Sequence, residues 1–373
     1  MSHQDQEAGQ GMADPKGRRL VTLWTAAMAS MALVAGVVIS MAMYNNRASA
    51  LRIHQERMDP AVLESGLKED EAKLPATAHP TQVTTGIYVD RIPELKIKES
   101  NWTVDCYIWF RWKGNEIHPG ENFQVVGGWI EERQKVDEYV SGDEHYERYR
   151  VVAKITKSFD VRRFPMDEHL LTINIEHPAY KRAEVIFVPD TSSSVSSRVQ
   201  VVGYRIAGSQ IVEKPHAYST TLGDPRLPKD FRAVHSQFRM GIDLKRDGWG
   251  FFFKLFQGLL ASLALAMVAF FIRPTDLDPR FGLGVGAFFA SIASTYITSS
   301  LIPDTGVMTL ADILNGIGMV TIFMTTVQSV VSLRVYETER DEALSKAYDR
   351  VSFWVFLLII AGLGLVVPAV AAG

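Results

Sequence analysis

Residues 249–272 read WGFFFKLFQGLLASLALAMVAFFI and carry a single charge, Lys254. A helix rises 1.5 Å per residue and bilayer hydrocarbon is about 30 Å thick, so about 20 such residues cross a membrane. Working outward, three more apolar runs follow, at 281–302, 309–333 and 351–372, joined by short polar connections. Upstream lies a fifth, at 20–43. The whole chain has 373 residues, a net charge of −3 and 47% hydrophobic content, values that resemble those of a soluble protein. They do so because nearly all the charge sits in 44–250 and in the short loops beyond.

Lys16, Arg18 and Arg19 precede the first apolar segment, which by the positive-inside tendency places the N-terminus in the cytoplasm. Counting crossings puts 44–248 outside, 273–280 and 334–350 inside, and 303–308 outside. Arg273, Arg280, Arg334, Arg340, Lys346 and Arg350 lie in the two inner loops and no basic residue lies in 303–308, in agreement with that parity. The first segment reads as an uncleaved anchor. A cleaved signal peptide is the alternative, because Ala48-Ser49-Ala50 resembles a cleavage site. Residues 1–19 read as a disordered cytoplasmic tail and 44–80 as a linker with helix-forming stretches at Leu51–Met58 and Ala61–Lys73. Cys106 is the only cysteine, so no internal disulfide forms.

From Thr81 the hydrophobic period changes to two. In 102–112 the residues Val104, Cys106, Ile108, Phe110 and Trp112 share one face, with Asp105, Tyr107 and Arg111 on the other. Further strands are expected at 86–90, 123–130, 136–140, 146–156, 169–176, 184–188, 201–212 and 235–244, with long loops at 191–197 and 215–231. Strands at this spacing, without helices between them, point to an antiparallel β-sandwich over 81–247. The expected fold is thus a membrane anchor, a β-sandwich and a four-helix transmembrane domain over 248–373, with spans at 249–272, 281–302, 309–333 and 351–372.

Lys157-Ser-Phe-Asp-Val-Arg-Arg-Phe-Pro-Met-Asp167 resembles the signature loop of the pentameric ligand-gated ion channels, the Cys-loop receptor family. Phe164-Pro165-Met166-Asp167 stands for its aromatic-Pro-aromatic-Asp turn, with Met166 in place of the second aromatic. Lys157 and Leu171 occupy the family's cysteine positions, as in bacterial members without the disulfide. The likeness runs in order through Thr85–Val89, Trp109–Lys113, Gly203–Ile206, Lys214-Pro215, Arg246, Ser300–Pro303 and Thr309–Asp312. Two further features depart from the family. The tryptophan-proline string of the agonist pocket is missing, and the first channel helix has Lys254-Leu-Phe-Gln257 where a proline is customary.

The resemblance implies a homopentamer with the helix from Phe281 lining the axis. Gly282, Gly286, Phe289, Ala293, Tyr296 and Ser300 would face the pore, with Asp278 just before that helix as an acidic ring favouring cations. Gly282-x-x-x-Gly286 equally fits a helix-packing pattern. Phe164, Pro165, Met166, Asp167, Arg246 and Pro303 would couple the outer domain to the pore, Asp167 and Arg246 as an ion pair. Aromatic residues suit a cationic ligand, and Tyr218, in the 215–231 loop, and Tyr204 are the candidates. No phosphate-cradling glycine loop, Gly-x-Ser-x-Gly or His-Glu-x-x-His occurs, so neither an enzyme nor a cofactor is expected, nor a metal or nucleic-acid partner. The expected function is a ligand- or proton-gated channel, weakly cation-preferring, in a bacterial plasma membrane with its β-domain periplasmic. Its ligand is an unknown small molecule or the proton. The alternative is a non-conducting pentameric sensor or assembly protein that keeps the channel fold.

Overall fold

The computed structural model describes residues 15–64, 67–114, 117–218, 220, 225, 228, 233–339 and 342–373. They divide into a helical unit (15–47, Val161–Met166, Gly248–Gly373) and a β unit (Ala48–Asp160, Asp167–Asp247).

The β unit holds two sheets. One has the order β4 (Gly128–Ser141), β5 (Glu144–Thr156), β2 (Asn101–Lys113), β1 (Thr81–Lys96), β7 (Val185–Pro189), with β8 (Ser194–Val195) also on β1. The other runs β3 (Gln124–Val125), β6 (Glu168–Glu176), β10 (Ala233–Arg246), β9 (Tyr204–Tyr218). Alternation in β2 buries Val104, Cys106, Ile108, Phe110 and Trp112. Phe110 gathers Phe123 at 5.2 Å, Phe187 at 6.1 Å and Tyr149 at 6.4 Å. Each such ring stabilises the core by about 1.5–3 kcal/mol through area removed from water.

The pairing corrects the expectation of an all-antiparallel domain, because β1 pairs parallel with β7 (Thr81↔Val185 to Thr85↔Pro189) and with β8. No hairpin links β1 to either, so nothing in the local chain fixes their relative direction. The strands expected at 123–130 and 136–140 are instead short β3 and one long β4. Register shifts at Ile130/Glu132 and Lys135/Asp137 reset the alternation within β4, which is why its sequence reads as broken. β9 extends to Tyr218, so Pro215 and Tyr218 are strand residues, a correction to the loop expected from 215. Pro215 sits opposite Ser236 on an edge strand, where its missing donor is tolerated. Most of 219–231 lies outside the described residues.

Among the described residues five helices are long and apolar enough to cross a membrane, so this is a membrane protein combining β and α structure. They lie in α1 (Pro15–Met58), α3 (Gly248–Val268, continued by a 3-10 turn at Ala269–Phe271), α4 (Leu277–Ser299), α5 (Leu310–Glu339) and α6 (Glu342–Ala372); the short α2 is Glu69–Ala72. Hydropathy marks only the apolar part of each. α1 continues through the expected linker to Met58 because no glycine or proline interrupts 37–59. Among the described residues of 61–73, only Glu69–Ala72 is helical. Most of the expected loop 334–350 is likewise helical, since its Glu, Arg, Lys and Ala residues favour helix.

In the helical unit α3 packs on α4 and α5, α4 on α5, and α5 on α6. Met28 of α1 joins Met267, Phe270 and Phe356 in one cluster. In the β unit, Met58 packs with Leu170 and Val212. The carbonyls of Glu56 and Arg57 accept from Lys214 Nζ and Arg239, each at 2.9 Å, placing cations on the free carbonyls of a helix end.

Candidate functional site

α4 is sorted by its own period. Arg280, Gly284, Ala287, Ser291, Ser294 and Thr298 recur every three or four residues and are buried. Asp278, Gly282, Gly286, Phe289, Ala293, Tyr296 and Ser300 recur in the same way and are exposed. Phe289 is 67% exposed and Tyr296 78%. On the buried face, a Cβ at Gly284 would lie 2.5 Å from Thr326 Oγ1, so this glycine lets α4 approach α5 closely. At Gly282 and Gly286 an added Cβ would meet nothing within 4 Å, so packing inside one chain does not require either glycine. Asp278 lies inside the first turn rather than ahead of the helix, where its charge complements the helix dipole; Pro279 is tolerated there. Ser300 is the residue that caps the helix, and Pro303 lies beyond it in the connection to α5.

Val161–Met166 belongs to the helical unit. The amides of Leu310 and Ala311 donate to the carbonyls of Arg162 and Phe164 at 2.9 and 3.1 Å. These are free donors of the first turn of α5, whose Thr309 and Asp312 cap it reciprocally: Asp312 N–H donates to Thr309 Oγ1 at 3.1 Å and Thr309 N–H to Asp312 Oδ2 at 2.9 Å. Phe164 meets Phe251 edge-on at 6.0 Å, and Arg163 donates to the Ala371 carbonyl at 2.8 Å. Met166 is buried, its Sδ 2.6 Å from where a Cβ on Gly248 would stand. The Phe164–Pro165 bond is cis.

In the β unit three adjacent strand ends converge. Asp167 immediately precedes β6, Arg246 ends β10 and Tyr204 begins β9. Arg246 grips both carboxylate oxygens of Asp167, at 2.6 and 3.1 Å. Tyr204 Oη donates to Asp167 at 3.0 Å, His169 Nε2 lies 2.6 Å from it, and the Arg246 guanidinium stands 4.2 Å over the Tyr204 ring. Burial alone would raise the Asp167 pKa, but the His169 hydrogen bond and the charges of His169 and Arg246 outweigh it and hold the carboxyl far below its usual range. Tyr204 is thus buried in this cluster.

Tyr218 binds Glu176, a buried carboxylate that accepts its hydroxyl at 2.9 Å and stands 2.7 Å from His216 Nδ1. The Glu176 hydrogen bond lifts the His216 pKa despite burial. Beside it His177 is buried, and its Nδ1 accepts the amides of Ala179 and Tyr180 at 3.2 and 3.4 Å. Burial, then the neighbouring His235, lowers the His177 pKa to about 4.

No family model matches the chain, and no curated protein matches it.

The Glu176–His216–Tyr218 group has no signal in the sequence, since Glu176 and His216 stand 40 residues apart on strands that β10 separates. A second feature is a hollow of ≈ 580 Å³ on the first sheet, lined by Tyr88, Tyr107, Trp109, Val136, Tyr146 and Arg148. Four of these, Tyr88, Tyr107, Trp109 and Tyr146, are aromatic, a lining that suits a cationic ligand. Trp109 is steadied by donating to Asp190 at 3.0 Å.

Proposed function

We propose that the chain is one subunit of a homopentameric ion channel of the pentameric ligand-gated family, gated by an external small molecule or by protons. In this reading the two sheets form a β-sandwich on the outer side of a bacterial plasma membrane, α3–α6 form a four-helix bundle, and the N-terminus is cytoplasmic. The observation that carries it is the division of α4, whose stripe from Asp278 to Ser300 is exposed while the opposite stripe is buried.

Five copies turning that stripe inward would line an axis with small residues at Gly282, Gly286 and Ala293. Five Asp278 carboxylates would favour cations at one mouth, and rings of Phe289 and Tyr296 would close the path by excluding water. A ligand in the aromatic hollow opens such a pore only if it binds the open state more tightly. The chain continuities at 160–161, 166–167 and 247–248 carry movement from the β unit to the helices. Phe164, Pro165 and Met166 lie in the 161–166 segment between two of those junctions, Pro303 would act from the α4–α5 connection, and the Asp167–Arg246 pair braces the strand ends beside them.

Single cysteines along α4 provide the test, read by water-soluble thiol reagents in reconstituted vesicles. Gly286→Cys, Ala293→Cys and Tyr296→Cys should react and alter cation flux, whereas Ala287→Cys and Ser291→Cys should not. Uniform reactivity along α4, or a monomer in mild detergent, refutes the channel. A second reading, a pentameric sensor that does not conduct, is favoured by the bulk of Phe289 and Tyr296; a pentamer silent to every ligand and pH tried, including as Phe289→Ala, would establish it.

A further inference from the structure

At one end of the helical unit, the last residues of the α3 apolar run and the first turns of α6 enclose a hollow of ≈ 450 Å³. Its wall changes character along its length. Arg273, Lys346 and Arg350 line one part, and Phe271, Phe353 and Trp354 the other. Phe353 touches Phe271 at 5.1 Å and Trp354 at 5.5 Å, forming a continuous ring surface. Asp349 also lines the hollow, but its charge is matched by buried Arg280 at 2.5 Å. Lys346 reaches Glu342 at 2.7 Å on the surface, and no salt bridge holds Arg273 or Arg350 among the described residues. The cationic part therefore keeps an excess of positive charge.

The position along the chain says what such a wall faces. The apolar run of 249–272 stops at Arg273, and that of 351–372 starts after Arg350. The cations thus sit at the level where hydrocarbon gives way to headgroups, and exposed Trp354 is a residue type favoured at that boundary. We propose that this hollow is a binding site for an anionic phospholipid, its phosphate held by Arg273, Lys346 and Arg350 and its acyl chain lying along Phe271, Phe353 and Trp354. The shape suits an amphiphile, since neither the basic part nor the ring surface alone would account for both walls. Membrane-proximal cations each strengthen binding to anionic lipid by on the order of fivefold.

Tryptophan quenching by brominated lipid tests this in the full-length protein, reconstituted with brominated phosphatidylglycerol or brominated phosphatidylcholine at equal mole fraction. Subtracting Trp354→Phe isolates the Trp354 signal from the other tryptophans. Phosphatidylglycerol is expected to quench Trp354 the more strongly, with a preference that falls by on the order of twenty-fivefold in Arg273→Gln/Arg350→Gln. Equal quenching by the two lipids in the native chain overturns the site whether or not that variant folds. A preference that survives in a folded variant overturns the assignment to these arginines. Loss of the preference on adding millimolar inorganic phosphate overturns a lipid source in favour of a soluble anion.

Discussion

Asp167 is a carboxylate almost wholly removed from water, and it remains charged because Arg246, His169 and Tyr204 all reach it. Removing one partner of a buried pair costs about 3–5 kcal/mol, since the survivor keeps its burial and loses its compensation. Asp167→Asn should therefore lower the unfolding temperature in detergent sharply, and Asp167→Asn/Arg246→Gln should cost less than the two single changes summed; strict additivity would show that the pair is uncoupled. Histidines of the β unit act with opposite signs on pH dependence. His177 has a folded pKa of about 4 against 6.5, so the unfolded chain binds the more protons between those values, and its contribution is lost as pH falls through that window. Native protein should lose stability between pH 6.5 and 4 relative to His177→Asn, which keeps an acceptor without titrating; parallel pH curves would refute this. His216, with its pKa raised, contributes below 6.5 and loses that contribution as pH rises through the higher folded value, so Glu176→Gln should weaken the protein most on the acid side. The Asp167–Arg246 association entered through family resemblance, 79 residues apart in the chain, and three neighbouring strand ends supply its physical reason. Glu176 and His216 had no such guide, because neither alternation nor composition reports which buried carboxylate meets which ring.

Elements were readable where one local rule governed them. β2 and β6 follow alternation and β-branched content, and the spans follow length and apolarity. Reading failed where a second rule intervened: register shifts in β4, an edge-strand proline in β9, and charged helix formers carrying α6 back to Glu342. Caps are a finer feature of the same kind. Thr309→Ala removes the side-chain partner of the Asp312 amide and should cost about 1 kcal/mol. Its thermal shift should largely disappear in Thr309→Ser, which restores the acceptor; an equal shift in both would point to packing of the threonine methyl. Gly284→Val should be worse than Gly286→Val in thermal unfolding, since only the former drives a side chain into Thr326.

Across the whole molecule, one chain combines a β unit whose core is apolar and aromatic with a helical unit whose α5–α6 contacts include polar ties, such as Tyr348 Oη to Gln328 at 2.8 Å and Ser332 with Ser345 at 3.0 Å. Helices in hydrocarbon gain little from burying leucine, so small and hydroxylated residues do more of the joining there, as where Gln328 donates to Ser352 inside the two apolar runs. The single thiol belongs to the other unit. Cys106 is buried in β2, its Sγ 3.7 Å from the Val151 carbonyl, and burial pushes its pKa upward. Unmodified, the chain is therefore a chemically silent background: maleimides and spin labels pass it by until it unfolds. Any reporter introduced elsewhere speaks only for its own position, and covalent dimers under oxidising conditions would reveal molecules that had already lost their fold.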